Sequence, residues 1–179
     1  MRQDRGLCQT RHMSFLSPTD HVSSADQVFL AYLDYFREAI AEKLTGLDED
    51  ALRSSLLPSG WSPIELLKHL VAMERRWMVW GFEGEHVDDP WFDRRDDRWF
   101  VGPDETLADL LGALRAGGQR TRAIVEGLTL DDVGMPGERW DGADPPRLER
   151  VLFHVLQEYA RHAGHLDVVR ELIDGKVGE

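Results

Sequence analysis

A single cysteine in 179 residues leaves an internal disulfide without a second partner, so the fold is held by packing and not by covalent staples. Long apolar runs are missing too. No stretch has the length and purity of a membrane span or a signal-peptide core, which makes a cytoplasmic protein the expectation. Basic charge is scarce, with 21 lysines and arginines against 33 acids and a formal charge of -12. Such a surface repels phosphate backbones and anionic lipid, so no nucleic acid and no membrane is expected as a partner, and a small molecule is. No segment alternates in the manner of a strand. What is present is a 42% hydrophobic content beside 30% charged residues, enough apolar mass for one buried core in a domain of ordinary size.

Residues 1–17, MRQDRGLCQTRHMSFLS, lack helical periodicity and precede Pro18. They read as a poorly ordered arm, with residues 18–179 as a single domain. Cys8 and His12 lie four apart, but without a second pair they are set aside as metal ligands. From Ser24 the pattern is helical. Val28, Leu30, Leu33, Phe36, Ile40 and Leu44 form an apolar face behind a Ser24 cap, with Gln27 at the capping-box position. A connection with one short helical turn leads to SPIELLKHLVAMERRWMVWGF, where Ser62 is the N-cap, Pro63 the first helical residue and Gly81 the stop. A third helix fits residues 105–128, its Gly112, Gly117 and Gly118 marking close packing or a kink. The last is entered through Pro145 and Pro146 and stopped at Asp174-Gly175. Residues 83–105 are aperiodic, dense in Asp, Arg and Trp, and are a candidate lid. Four helices joined by long connections predict an all-α four-helix bundle with at least one crossover connection.

Tryptophan is abundant. Trp77 and Trp80, at helical spacing, read as core, and Trp61 as a hydrophobic staple against Leu66 or Leu67. Trp91 and Trp99 are candidates for pocket wall, subunit contact or plain packing.

The segment EYARHAGHLDVV, residues 158–169, places metal-capable side chains in a helix otherwise spaced like a buried one. Leu148, Leu152, Val155, Tyr159, Leu166 and Ile173 define its core direction. At about 100° of rotation per residue, His162 lies within about 50° of that direction and Glu158 at roughly 90°. His154, Glu158 and His162 form an i, i+4, i+8 ladder with His165 on the same flank. A carboxylate there needs compensation, from a metal ion or from an arginine on a neighbouring helix. One helix cannot surround an ion. His69, on the flank of the second helix's apolar stripe, is the candidate ligand from elsewhere, although its placement alone does not turn it inward.

GWSPIELLKHLVAMERRW and, far downstream, HVLQEYARHAGHLDVVRELIDG resemble the DinB-like superfamily of metalloenzymes, in the branch of small domains related to mycothiol-dependent maleylpyruvate isomerase. The resemblance covers most of residues 25–176. It implies a four-helix bundle, frequently a homodimer, whose metal is held by one histidine of the second helix and two ligands four residues apart on the last. Carried over, the metal ligands are His69, Glu158 and His162. Many members have His where this chain has Glu158, so the site is similar to the isomerase branch. His165 stands where others often carry Gln, and a fourth ligand, a partner of a ligand and a proton carrier are all open to it. The isomerase draws part of its chemistry from a second domain, and its specific reaction does not carry over.

Two neutral imidazoles and a carboxylate leave a divalent ion with net positive charge and open positions, so that a bound water or thiol loses its proton near neutral pH. Zn²⁺ suits this set best, with Ni²⁺, Fe²⁺ and Mn²⁺ as alternatives. The resemblance implies a low-molecular-weight thiol of the mycothiol type as cosubstrate, held for attack on an electrophile. Arg161 and His165 are the candidate contacts for that cosubstrate, with Arg75 and Arg76 as further anchors or supports. The expected activity is a metal-dependent S-transferase or isomerase, with hydrolysis as a variant. The alternative is a stress-response bundle that binds metal or a small ligand without turnover. An incomplete ligand set favours catalysis, because structural zinc sites are normally closed by four residues.

Overall fold

The computed structural model describes residues 24–178. The expected arm at residues 1–17, with Cys8 and His12, lies outside the described residues. Helix α1 (Ala25–Leu44) is followed by the short α2 (Glu49–Arg53), by α3 (Pro63–Arg75) running into a π-helical segment (Arg76–Phe82), by a hairpin of β1 (Arg94–Arg95) and β2 (Arg98–Trp99), by α4 (Leu107–Val125) and by α5 (Leu148–Asp174). The all-α expectation holds. Local chemistry sets the ends: the Glu65 carboxylate accepts the Ser62 backbone N–H at 2.8 Å, and Thr106 with Asp109 forms the same reciprocal cap on α4. Gly175 ends α5 at φ 75°, a left-handed conformation that glycine adopts freely.

Two features depart from expectation. Residues 83–105 contain a strand pair where none was predicted: Arg95 pairs with Arg98 across Asp96 and Asp97. Their φ values of 51° and 61° meet the requirement of a primed two-residue turn, which Asp tolerates better than most side chains. The second helix does not stop cleanly at Gly81, because its last turns widen into the π segment ending at Phe82. There the Trp140 indole donates to the Gly81 carbonyl at 2.9 Å and the Met135 N–H to that of Phe82 at 2.7 Å, so the connection before α5 satisfies carbonyls at the helix end.

In the bundle α1 packs against α4 and α5, and α3 packs against the same two helices, leaving α1 and α3 on one diagonal and α4 and α5 on the other. The chain therefore crosses the bundle twice, through residues 45–62 and through residues 126–147. The core is built from Leu33, Ile40, Leu66, Leu70, Leu114 and Leu152 and their neighbours. Buried within it is a carboxylate. Glu74 of α3 accepts hydrogen bonds from Arg37 of α1 (Nε at 3.2 Å), Thr121 of α4 (2.5 Å) and Tyr159 of α5 (2.6 Å). Gly118 makes room for this, since a Cβ there would lie 2.9 Å from Arg37 Nε, whereas nothing lies within 4 Å of a Cβ at Gly112. With one partner from each long helix, turning any helix would strand a buried charge, which sets their mutual rotation. The pairs that matter next, His69 with Glu74 on α3 and Glu158 with Tyr159 on α5, share those helices.

Candidate metal centre

Helices α3 and α5 bring three side chains together. His69 Nε2 lies 3.7 Å from Glu158 Oε2, and His162 Nε2 lies 3.4 Å from the same oxygen. One donor atom from each residue falls within 4.8 Å of the others, and no fourth metal-capable side chain joins this group among the described residues. Donors around a tetrahedral zinc at bonds of about 2.1 Å sit roughly 3.4 Å apart, which the two separations from Glu158 match, so this set fits a divalent ion. The two histidines are buried and Glu158 is half-buried. The other compensation open to the sequence, an arginine on Glu158, does not occur among the described residues, where the ion-pair partners of this carboxylate are the two imidazoles. His154 stays outside the group, its ring 4.1 Å from that of Trp77.

The other nitrogen of His69 is occupied by a residue that sequence reasoning missed. Its Nδ1–H donates to Asp93 Oδ2 at 2.9 Å, and Asp93 is fully buried. Arg76 clamps that carboxylate, Nη1 to Oδ1 at 2.6 Å and Nη2 to Oδ2 at 3.3 Å, and also donates to the Pro90 carbonyl at 3.0 Å. Burial alone would raise the Asp93 pKa, but the hydrogen bonds from His69 and Arg76 and their charge outweigh it and hold the carboxyl below its ordinary range. A carboxylate on Nδ1 keeps the proton there and leaves the Nε2 lone pair facing Glu158. Arg76 thus supports His69 through Asp93, while Arg75 and Arg161 are exposed. The loop that carries Asp93 is also anchored at its end: Arg53 donates to the carbonyls of Gly102 (3.1 Å) and Glu105 (2.7 Å), and Lys68 to the Glu105 carboxylate (2.7 Å).

His165 does not enter the three-donor group. Its Nδ1 lies 3.3 Å from His162 Nδ1, so it faces the outer nitrogen of that ring. Burial, aided by repulsion from His69 and opposed by Glu158, lowers the His162 pKa to about 4, which keeps the imidazole neutral at pH 7. Trp99 stacks on His69 with centroids 4.3 Å apart and planes 19° from parallel, closing one side of the group. Trp61 packs on the core, and its ring lies 6.1 Å from both Trp99 and His165. Trp91 is exposed against the Arg76 guanidinium at 4.3 Å. Trp77, expected in the core, packs against it while half-buried between His154 and the Arg139 guanidinium, which lies 4.1 Å away.

A groove of about 550 Å³ between α3 and α4, lined by Val71, Met78, Leu110, Ala113 and Gly117, shares no residue with the three-donor group. Among the described residues no helix is long and apolar enough to cross a membrane. No curated protein matches the chain. The model of one family, described as mycothiol-S-transferase, matches residues 28–175, a span that reaches into all four long helices and includes His69, Glu158 and His162. The chain, all-α and with these helices in place, belongs to the mycothiol-S-transferase family of DinB-like proteins.

Proposed function

We propose that the protein is a metal-dependent transferase that joins mycothiol, or a thiol like it, to an electrophile, with His69, Glu158 and His162 holding the ion. The convergence of these three donors in a chain of this family is the observation that carries the reading. A divalent ion held there, Zn²⁺ first among the candidates, would supply the positive charge that brings sulfhydryl deprotonation near neutral pH. The remaining work falls to the chain. Asp93 and Arg76 hold the His69 proton on Nδ1, and His162 is kept neutral by burial. Glu158 would contribute one negative charge and so leave a bound dication half neutralised. Trp99 keeps water from the His69 face. The sulfhydryl proton leaves to solvent, a C–S bond forms, and the leaving group of the electrophile departs with its electron pair. Arg161 and His165 are the proposed cosubstrate contacts at the rim, and the cytoplasm, where such thiols stay reduced, is the proposed place of action.

The test compares untagged protein with Glu158→Ala after reconstitution with Zn²⁺. Metal content is read by elemental analysis, and thiol consumption is followed with mycothiol and an alkylating electrophile. The reading expects about one equivalent of metal per chain and thiol-dependent conjugation, with both lost in the variant. A wild-type protein that takes up neither Zn²⁺ nor Ni²⁺ would sink it. Metal uptake without conjugation leaves a metal-binding bundle without turnover.

A further inference from the structure

We infer that the cleft between the β1–β2 hairpin and the start of α3 is the subsite for a polyhydroxylated ring portion of the thiol cosubstrate, an inference that rests on the transferase reading. The cleft measures about 320 Å³, within the small end of the range for ligand sites, and Trp61, Trp99, Glu65, Arg94, Asp97 and Arg98 line it. It adjoins the three-donor group through a single ring, because Trp99, which walls the cleft, is also the ring stacked on His69. Trp61 and Trp99 meet with centroids 6.1 Å apart at 57°, so their two planes flank the space at an angle. The side chains of Arg94, Asp97 and Arg98, also in the lining, are exposed and make no hydrogen bond or ion pair with the described residues, the Arg94 guanidinium lying 5.2 Å from the Trp91 ring.

This combination selects a ligand class. A sugar or cyclitol ring offers a C–H face that packs on an indole and a rim of hydroxyls that both donate and accept, matching aromatic planes beside unpaired guanidinium and carboxylate groups. A purely apolar ligand would leave the charged groups unused, and a purely ionic one would have no use for the two indoles. Mycothiol carries its sulfur on an acylated cysteine at one end and a glucosamine–inositol pair at the other. With the sulfur at the three donors, its rings extend past Trp99 into the cleft.

The test uses the zinc-loaded full chain with Arg94→Ala and Arg98→Ala, both changes on an exposed hairpin. KM and kcat are measured for mycothiol and for N-acetylcysteine, which keeps the sulfur and lacks the rings. Binding of thiol-free glucosaminyl-inositol is followed by tryptophan fluorescence. KM for mycothiol is expected to rise about tenfold in each variant, the scale of one charge-assisted hydrogen bond, with N-acetylcysteine kinetics and zinc content unchanged. Variants that keep the wild-type KM for mycothiol and its preference over N-acetylcysteine would overturn the subsite while leaving the transferase reading intact. If the wild type turns over neither thiol, the transferase reading fails. Saturable glucosaminyl-inositol binding that weakens in Arg98→Ala would then still support the cleft, and its absence would overturn the cleft as well.

Discussion

Replacing Asp93 by Asn separates the two things its carboxylate does. The side chain is fully buried and accepts from Arg76 at 2.6 and 3.3 Å and from His69 at 2.9 Å. Asparagine keeps the shape, but its NH₂ cannot accept, so at least one of these donors is left unpaired and Arg76 loses its counter-charge. Breaking a buried pair on one side costs about 3–5 kcal/mol, and the lower end applies because Arg76 keeps the Pro90 carbonyl and the Trp91 ring. Separately, His69 loses the anion that holds its proton on Nδ1, and loss of such an outer partner lowers metal affinity by about 10–100-fold, or roughly 1.4–2.8 kcal/mol. Urea unfolding of the metal-free protein reads the first effect, and competition with a chromophoric zinc chelator reads the second. A double variant, Arg76→Met with Asp93→Asn, removes the stranded cation. It is expected to recover most of the stability and none of the affinity. Zinc affinity within threefold of wild type in folded Asp93→Asn would refute the argument that this carboxylate orients His69.

Three further outcomes follow from the same geometry. Glu74→Leu alone strands the Arg37 charge and is expected to cost about 3–5 kcal/mol in urea unfolding, whereas Arg37→Met with Glu74→Leu recovers only part of that loss, because the buried Thr121 and Tyr159 hydroxyls still lose their acceptor; a single variant no worse than a surface change would disprove the role of the network. Gly112→Ala is expected to stabilise by about 0.5–1 kcal/mol, because nothing crowds its Cβ, while Gly118→Ala pushes on Arg37 and lowers the melting temperature; equal effects at both sites would contradict the packing described. The third concerns pH. The folded His162 pKa of about 4 lies below its ordinary 6.5, so between these values the unfolded chain binds the extra proton and stability falls as pH falls. The loss reaches roughly 3 kcal/mol in metal-free protein across that window. Urea midpoints from pH 7 to pH 4.5 check it, and the His162→Gln variant should show a shallower slope; an identical slope would mean that other groups carry the dependence.

Some element ends were legible in the sequence because caps are local, although the capping box expected at Ser24 and Gln27 does not form and the stop expected at Gly81 gives way to the π segment. Ser62 and Glu65 meet across one turn whatever the helix packs on, and the same holds for the glycine stop at Gly175. The i, i+4 relation of Glu158 and His162 was legible for that reason too, since the helix itself places them one turn apart. The hairpin was not, because Asp96-Asp97 is a weak turn signal beside Asn-Gly and the paired strands are only two residues each. Nor was Asp93. It is one of six aspartates in residues 83–105, and no period distinguishes it.

By itself, then, the sequence determined four amphipathic helices, the ends marked by Ser62 and Gly175, the acidic surface and a pair of metal-capable side chains one turn apart on the last helix. Only the tertiary structure decided that His69 faces that pair, that Asp93 and Arg76 stand behind His69, and that Glu74 ties α1, α3, α4 and α5 together. The physical reason is the range of the contacts. Asp93 meets His69 across 24 positions and Tyr159 meets Glu74 across 85. Such pairings depend on how the helices are rotated against one another, and that rotation is set by burying one shared core and one shared charge, which no local spacing records.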